Sequence, residues 1–158
     1  DVRATRAARE VIATFSEKWA EFETRQSVRN DPPGGWCNGA IGLMAAAAEH
    51  PETADCARQF LEKARLHFAG GHGGHHLCCG EAGRILLLSR AAKLLPGENL
   101  AADARRCADA LLGHVETNGF LIFQGIPERL TLPGWMTGIS GVGAALLAVN
   151  SLGEDLTI

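Results

Sequence analysis

The chain contains no tyrosine, only 6 prolines in 158 residues, and few β-branched side chains beside its many alanines and leucines. Residue types that favour strands are scarce, so the composition points away from sheet and toward an all-α fold. No apolar run reaches the roughly 18 residues needed to span a bilayer, and no basic-then-apolar leader pattern opens the chain. A cytoplasmic protein without a membrane partner is expected. Neither sign of charge dominates, since 15 Lys and Arg are interspersed with 18 Asp and Glu for a formal net charge of −3. There is no basic stripe, so nucleic acid is not an expected partner. Five cysteines are an odd number, and two of them are adjacent, which argues against a disulfide framework. Grouped thiols in a reducing compartment point instead to metal binding or catalysis.

What is present is helical periodicity, punctuated by glycine. Residues 1 to about 28 place Ala4, Ala7, Ala8, Val11, Ile12, Phe15, Trp19 and Phe22 three and four apart, the pattern of an amphipathic helix. Pro32, Pro33, Gly34 and Gly35 break it. From Gly39 to about Glu49 the chain is apolar on every side, which predicts a helix buried all round. Pro51 opens an outer helix with Ala57, Phe60, Leu61, Ala64 and Phe68 on one stripe. The glycine-rich segment 70–74 leads into a second mostly apolar helix, with Ile85, Leu86, Leu87, Leu88, Ala91, Ala92 and Leu95, stopped by Pro96-Gly97. Residues 99 to 117 return to the amphipathic type. A third loop, residues 120–135, carries a Phe120-Leu121-Ile122-Phe123 run compatible with a short strand. An uncharged helix from about Val142 to Ser151 closes the series.

The same unit occurs three times: outer helix, loop, Gly-x-x-Gly, inner helix. The glycine steps start at Gly39, Gly80 and Gly138, offsets of 41 and 58 that suit helical-hairpin repeats with loop insertions. Amphipathic helices alternating with all-apolar ones build two concentric layers, an α/α toroid. Three hairpins, about residues 1–50, 51–96 and 97–153, close a ring poorly, so an incomplete arc is expected. The chain opens at Asp1 without a methionine, and the rest of the ring is expected N-terminal to it.

The thiols sit in the turns before two of the three glycine steps: Cys37 in Trp36-Cys37-Asn38-Gly39, and Cys78 and Cys79 in His76-Leu77-Cys78-Cys79-Gly80. Corresponding ends of adjacent inner helices can bring three soft ligands to one ion, and zinc favours thiolate. Three protein ligands leave a tetrahedral position open, the mark of a catalytic or substrate-binding zinc rather than a structural one. Helix N-termini favour thiolate over thiol. Burial as small apolar residues is the plainer account of these cysteines, and their recurrence at equivalent turns weighs against it. For Cys56 and Cys107, on outer-helix stripes, the plainer account is preferred. His75 and His76 stand beside the cysteine pair as candidate ligands, supporting donors or proton donors, with His76 the weak candidate for catalysis. His72 is a lesser candidate, and His50, His67 and His114 read as partners of helix C-termini. Trp36 and Trp135 read as loop packing, with a site-wall role second for Trp36, and Glu81 as a helix-start charge.

These three turns, Trp36-Cys37-Asn38-Gly39-Ala40-Ile41-Gly42, His76-Leu77-Cys78-Cys79-Gly80-Glu81-Ala82-Gly83 and Pro133-Gly134-Trp135-Met136-Thr137-Gly138-Ile139-Ser140-Gly141, resemble the C-terminal motifs of the lanthionine synthetase cyclases, in order and in repeat frame. The likeness runs over about residues 30 to 155. It implies an α/α toroid and a zinc held by Cys37, Cys78 and Cys79 that takes up a cysteine thiol of a precursor peptide carrying dehydrated Ser and Thr. The Pro-Gly-x-Met-Thr-Gly form of the third motif is similar to that of bifunctional class II synthetases, which implies earlier repeats and a dehydratase domain N-terminal to this chain. Cys78-Cys79-Gly80 replaces the Cys-His-Gly of most members, so the chain resembles the all-cysteine subgroup. The family's general-acid histidine and its partner carboxylate belong to earlier repeats and have no counterpart here. Two alternatives use the same frame: a zinc-dependent thiol-binding protein of the glutathione-handling type, and a non-catalytic structural or adaptor fragment.

Overall fold

The computed structural model describes residues 2–19, 21, 24, 35–37, 39–66, 68, 74–121 and 133–153. Six α-helices occur among them: α1 (Val2–Glu17), α2 (Ala40–Ala48), α3 (Ala54–Arg65), α4 (Glu81–Ala91), α5 (Leu100–Asn118) and α6 (Ile139–Asn150). Short 3-10 turns, Pro51–Thr53 and Ser151–Gly153, precede α3 and follow α6. No strand is found among the described residues. Phe120 and Leu121 are irregular, and the remainder of the suggested strand lies outside them, as do Phe22, His67 and His72.

The helices divide into the two expected layers. α2, α4 and α6 lie side by side as the inner layer, with α4 between the other two, while α3 covers α2 and α5 covers α4. Each outer helix thus packs chiefly on the inner helix that precedes it in the chain. The reason is local: the turn from α2 to α3 is short, and Thr53 Oγ1 donates to the Ala47 carbonyl at 2.6 Å, folding the start of α3 back on the end of α2. Between neighbouring outer helices the contacts are ionic. Arg58 on α3 pairs with Glu98 at 3.0 Å, and Arg65 reaches Asp103 on α5 at 2.9 Å. Ile41, Met44, Phe60, Leu61, Ile85, Leu88, Leu100 and Leu111 form the core between the layers. Trp19, beyond the end of α1, adds an edge-on contact to Phe60 at 5.5 Å between ring centroids.

Burial follows position in the arc more than apolarity. On α4, flanked by inner helices on both sides, eight of eleven residues are buried, Arg84 and Ser89 among them. Ser89 satisfies its hydroxyl on the Ile85 carbonyl at 2.8 Å, as a buried polar group must. α6 carries no charged residue and is the more apolar of the two, yet only Gly141, Val142 and Ala145 are buried and Leu147 is 71% exposed. α4 and α5 are the neighbours that cover it, and its other flank is bare among the described residues; the all-round burial expected of α2 is not met either, since Ala46 is exposed there. At the opposite end of the arc, Val11 and Phe15 on α1 are exposed although they belong to the apolar stripe.

Candidate metal centre

Each inner helix begins at the first glycine of its step: Gly39, Gly80 and Gly138 are all extended, with φ of −138°, −102° and −135°, and the helix starts at the next residue. The second glycine of each step has a steric reason. A methyl group at Gly42, Gly83 or Gly141 would overlap the backbone carbonyl oxygen of Trp36, Leu77 or Trp135, in each case the residue six positions earlier. The preceding turn therefore folds onto the first helical turn in the same way three times. This superposition aligns Cys37 with Cys78 and Met136, and Asn38 in sequence with Cys79 and Thr137.

The two thiol turns meet. Cys37 Sγ lies 3.5 Å from Cys78 Sγ and 3.0 Å from Cys79 Sγ, and the pair itself is separated by 3.6 Å. Three thiolates around zinc at a Zn–S length of about 2.3 Å would have S···S edges of about 3.8 Å, so the triangle fits the ion after a small outward adjustment. It is the one group of three close metal-ligating side chains among the described residues. Cys37 is exposed and the other two are half-buried. Burial first, then the shared hydrogen bond with Cys37, holds both Cys78 and Cys79 above the ordinary thiol range, and Cys79 is the more strongly shifted. Without a cation the three sulfurs cannot carry three charges at this spacing. A divalent ion removes that penalty and deprotonates them.

Neither neighbouring histidine joins the cluster. His75 is buried, donates its backbone N–H to the Leu121 carbonyl at 2.7 Å, and accepts the Leu121 N–H on Nδ1 at 3.0 Å. Its ring meets His114 edge-on at 5.0 Å and Phe120 at 6.1 Å. Burial, followed by repulsion from His114 and His76, lowers its pKa to about 4. His76 is also buried, and its Nδ1 accepts the Cys79 backbone N–H at 3.3 Å. His75 therefore ties down the third loop, and His76 bonds to the ligand turn as an acceptor.

The remaining candidates take scaffold positions. Glu81 pairs with Arg84 at 3.1 Å, and Arg84 also donates to the Phe68 carbonyl at 3.3 Å, so the charge at the start of α4 reaches back to the segment before the glycine-rich loop. Cys107 is buried, which pushes its thiol up to about 11, and Cys56 is half-buried on α3, both apart from the cluster. Trp36 is partly buried against the core, whereas Trp135 is 54% exposed, so packing holds for the first and fails for the second. The Leu77 side chain, equivalent to both, is seated against Gly141 of the following repeat, and no following repeat covers Trp135 among the described residues. One contact had no signature in the sequence: the Met136 carbonyl accepts the Cys78 N–H at 3.0 Å. Any residue type supplies a carbonyl, so the thiol-free third turn gave no sign of supporting a ligand.

A family model described as lanthionine synthetase C-like protein matches residues 3–156. The chain belongs to the lanthionine synthetase C-like family. Neither the curated proteins nor the solved structures give a match.

Proposed function

We propose that this chain is the metal-holding part of a zinc-dependent lanthionine cyclase, with Cys37, Cys78 and Cys79 as the three ligands. Family membership supports a cyclase-type role, and the observation that carries the assignment is the convergence of three thiols from two equivalent turns, one of them exposed. Zinc at this position would lower the pKa of an incoming peptide cysteine so that it is thiolate near neutral pH. The protein's own part is positioning. The half-buried Cys78 and Cys79 form the floor of the site and the exposed Cys37 its rim, so a peptide cysteine approaches from the rim side. The peptide sulfur then forms a C–S bond to the β-carbon of a dehydroalanine or dehydrobutyrine in the same peptide. The thiol proton is lost to solvent and the α-carbon gains one, so ring closure is an isomerisation with no leaving group. Holding nucleophile and acceptor together supplies most of the acceleration.

No residue of this chain is assigned as general acid; His76, the weak candidate of the sequence, is buried with its Nδ1 on the Cys79 amide. In this reading the chain supplies the C-terminal repeats of a cytoplasmic cyclase domain, with further repeats and a dehydratase domain N-terminal to it. Metal analysis tests the site: one zinc per chain is expected, with binding weakened at least about a thousandfold in Cys37→Ala and Cys79→Ala. A wild-type stoichiometry near zero would end the assignment. Incubation with a dehydrated precursor peptide tests the reaction, with free-thiol loss faster than in buffer as the supporting result.

A further inference from the structure

We propose that His76 is the positioning residue that makes Cys79 a metal ligand; the inference rests on the three-thiol site above and adds the group that aims its third member. The repeat itself places only two of the sulfurs. Cys37 and Cys78 stand at the same position of equivalent turns, one residue after the carbonyl that covers the second glycine. Cys79 stands where the other turns have Asn38 and Thr137, so nothing in the shared scaffold accounts for a ligand there.

A second difference accompanies the first. The residue before Trp36 is Gly35, the residue before Trp135 is Gly134, and the residue before Leu77 is His76. The turn with a second thiol is the turn with a side-chain acceptor at that position. That acceptor is used: His76 Nδ1 takes the Cys79 N–H at 3.3 Å from a ring only 4% exposed, so the imidazole bridges the turn from inside. Cys78 is held from outside, its N–H on the Met136 carbonyl at 3.0 Å. The two consecutive amides are thus fixed by different partners, one local and one from the next repeat. With both directions set, the two side chains leave the backbone toward one point, Sγ to Sγ 3.6 Å apart, and face Cys37. Partners that orient ligands in this way are worth about 10- to 100-fold in metal affinity. An Nδ1 that accepts carries its proton on Nε2 in the neutral ring, which defines the tautomer.

The test compares His76→Phe, similar in size without an acceptor, with His76→Asn, whose amide oxygen can take the same N–H. In the full chain, zinc affinity by chelator competition is expected to fall about 10- to 100-fold in His76→Phe and to recover to within about threefold of wild type in His76→Asn. With cobalt(II) in place of zinc, the sulfur-to-metal charge-transfer band of His76→Phe should shift and lose less than about a third of its intensity, as Cys79 stays on the ion but is held less squarely. Equal impairment in both variants, or an unchanged band in His76→Phe, would overturn the proposal. Wild-type protein gives a readout that needs no variant to fold: a through-hydrogen-bond coupling between Cys79 N and His76 Nδ1 in the zinc-loaded chain by nitrogen-15 NMR. Its absence would also overturn it. If wild-type chain binds no zinc, the three-thiol assignment and this inference fall together. If it binds zinc through three thiolates and the His76 variants change nothing, this inference alone falls.

Discussion

The second and third turns share one backbone solution, and of the side chains that differ between them three bear on the thiol site. In both, a carbonyl lies over the second glycine of the step so closely that no Cβ fits, and in both the first glycine is extended and releases the inner helix. The second turn fills that frame with His76, Cys78 and Cys79; the third has Gly134, Met136 and Thr137 in the same places. Its contribution to the candidate centre is a main-chain carbonyl to the Cys78 amide. Fold and chemistry are therefore written in different atoms of the same eight residues. Changes to the glycines should be read in stability, changes to the thiols and His76 in metal affinity.

The largest expected effect breaks the frame. Gly83→Ala forces a methyl group into the Leu77 carbonyl, and Gly141→Ala forces one into the Trp135 carbonyl and the Leu77 side chain. Backbone can yield only by moving the turn, so each substitution should cost about 3 kcal/mol or more in urea denaturation. Gly134→Ala meets nothing within 4 Å and should stay within about 0.5 kcal/mol of wild type. A cost at Gly141 far below that at Gly83 would show that the third turn is not held as the second is.

A smaller effect separates scaffold from site. Asp103, only 2% exposed, accepts Arg65 Nε at 3.1 Å and Nη2 at 2.9 Å and also pairs with Arg106, joining α3 to the start of α5. Asp103→Ala leaves Arg65 with Glu62 at 2.7 Å and the Glu98 carbonyl, so the loss is less than for a fully orphaned charge, about 2 kcal/mol. Zinc affinity measured well below the unfolding temperature should not follow it. If it falls in step with stability, the outer layer is coupled to the thiol turns and the separation fails.

How much of this was legible in the sequence depended on whether a feature repeats. Helix positions, the alternation of layers and the glycine steps recur every hairpin, so periodicity exposed them, and two thiols at one repeat position pointed to convergence. Exposure at the ends was not legible: Leu147 sits in an uncharged inner helix and is exposed, Leu88 in one that carries Glu81, Arg84 and Arg90 and is buried, and only the neighbours of α6 and α4 account for the reversal. Trp135 reads like Trp36 and fares differently for the same reason. His76 looked like a possible acid because a histidine beside thiols suggests proton transfer, while its bond to the Cys79 amide is a through-space fact. The comparison of Gly35, His76 and Gly134 was available all along, but carries meaning only once the carbonyl-on-glycine contact fixes the alignment.

The smallest effect concerns the other histidine of the pair, and it sharpens the contrast from the loop side. His75 joins the second turn to the loop before the third through two bonds with Leu121, and its Nδ1 acceptor role requires a neutral ring. Its folded pKa of about 4 lies below the ordinary value of 6.5, chiefly because of burial. Between those two values the unfolded chain takes up a proton that the folded chain refuses. The stability this neutral ring contributes is therefore fully present above about pH 6.5 and is lost as pH falls toward 4. In metal-free protein, which removes competition between protons and zinc for the thiols, lowering the pH from 7 to 5 should cost between about 1 and 2 kcal/mol through this residue. His75→Phe removes the titrating group, so its denaturation midpoint should drop less over the same interval, whatever its absolute stability. An identical drop in both proteins would mean that His75 reaches water in the folded state, and that its Nδ1 bond to the Leu121 amide does not help hold the second turn to the loop before the third.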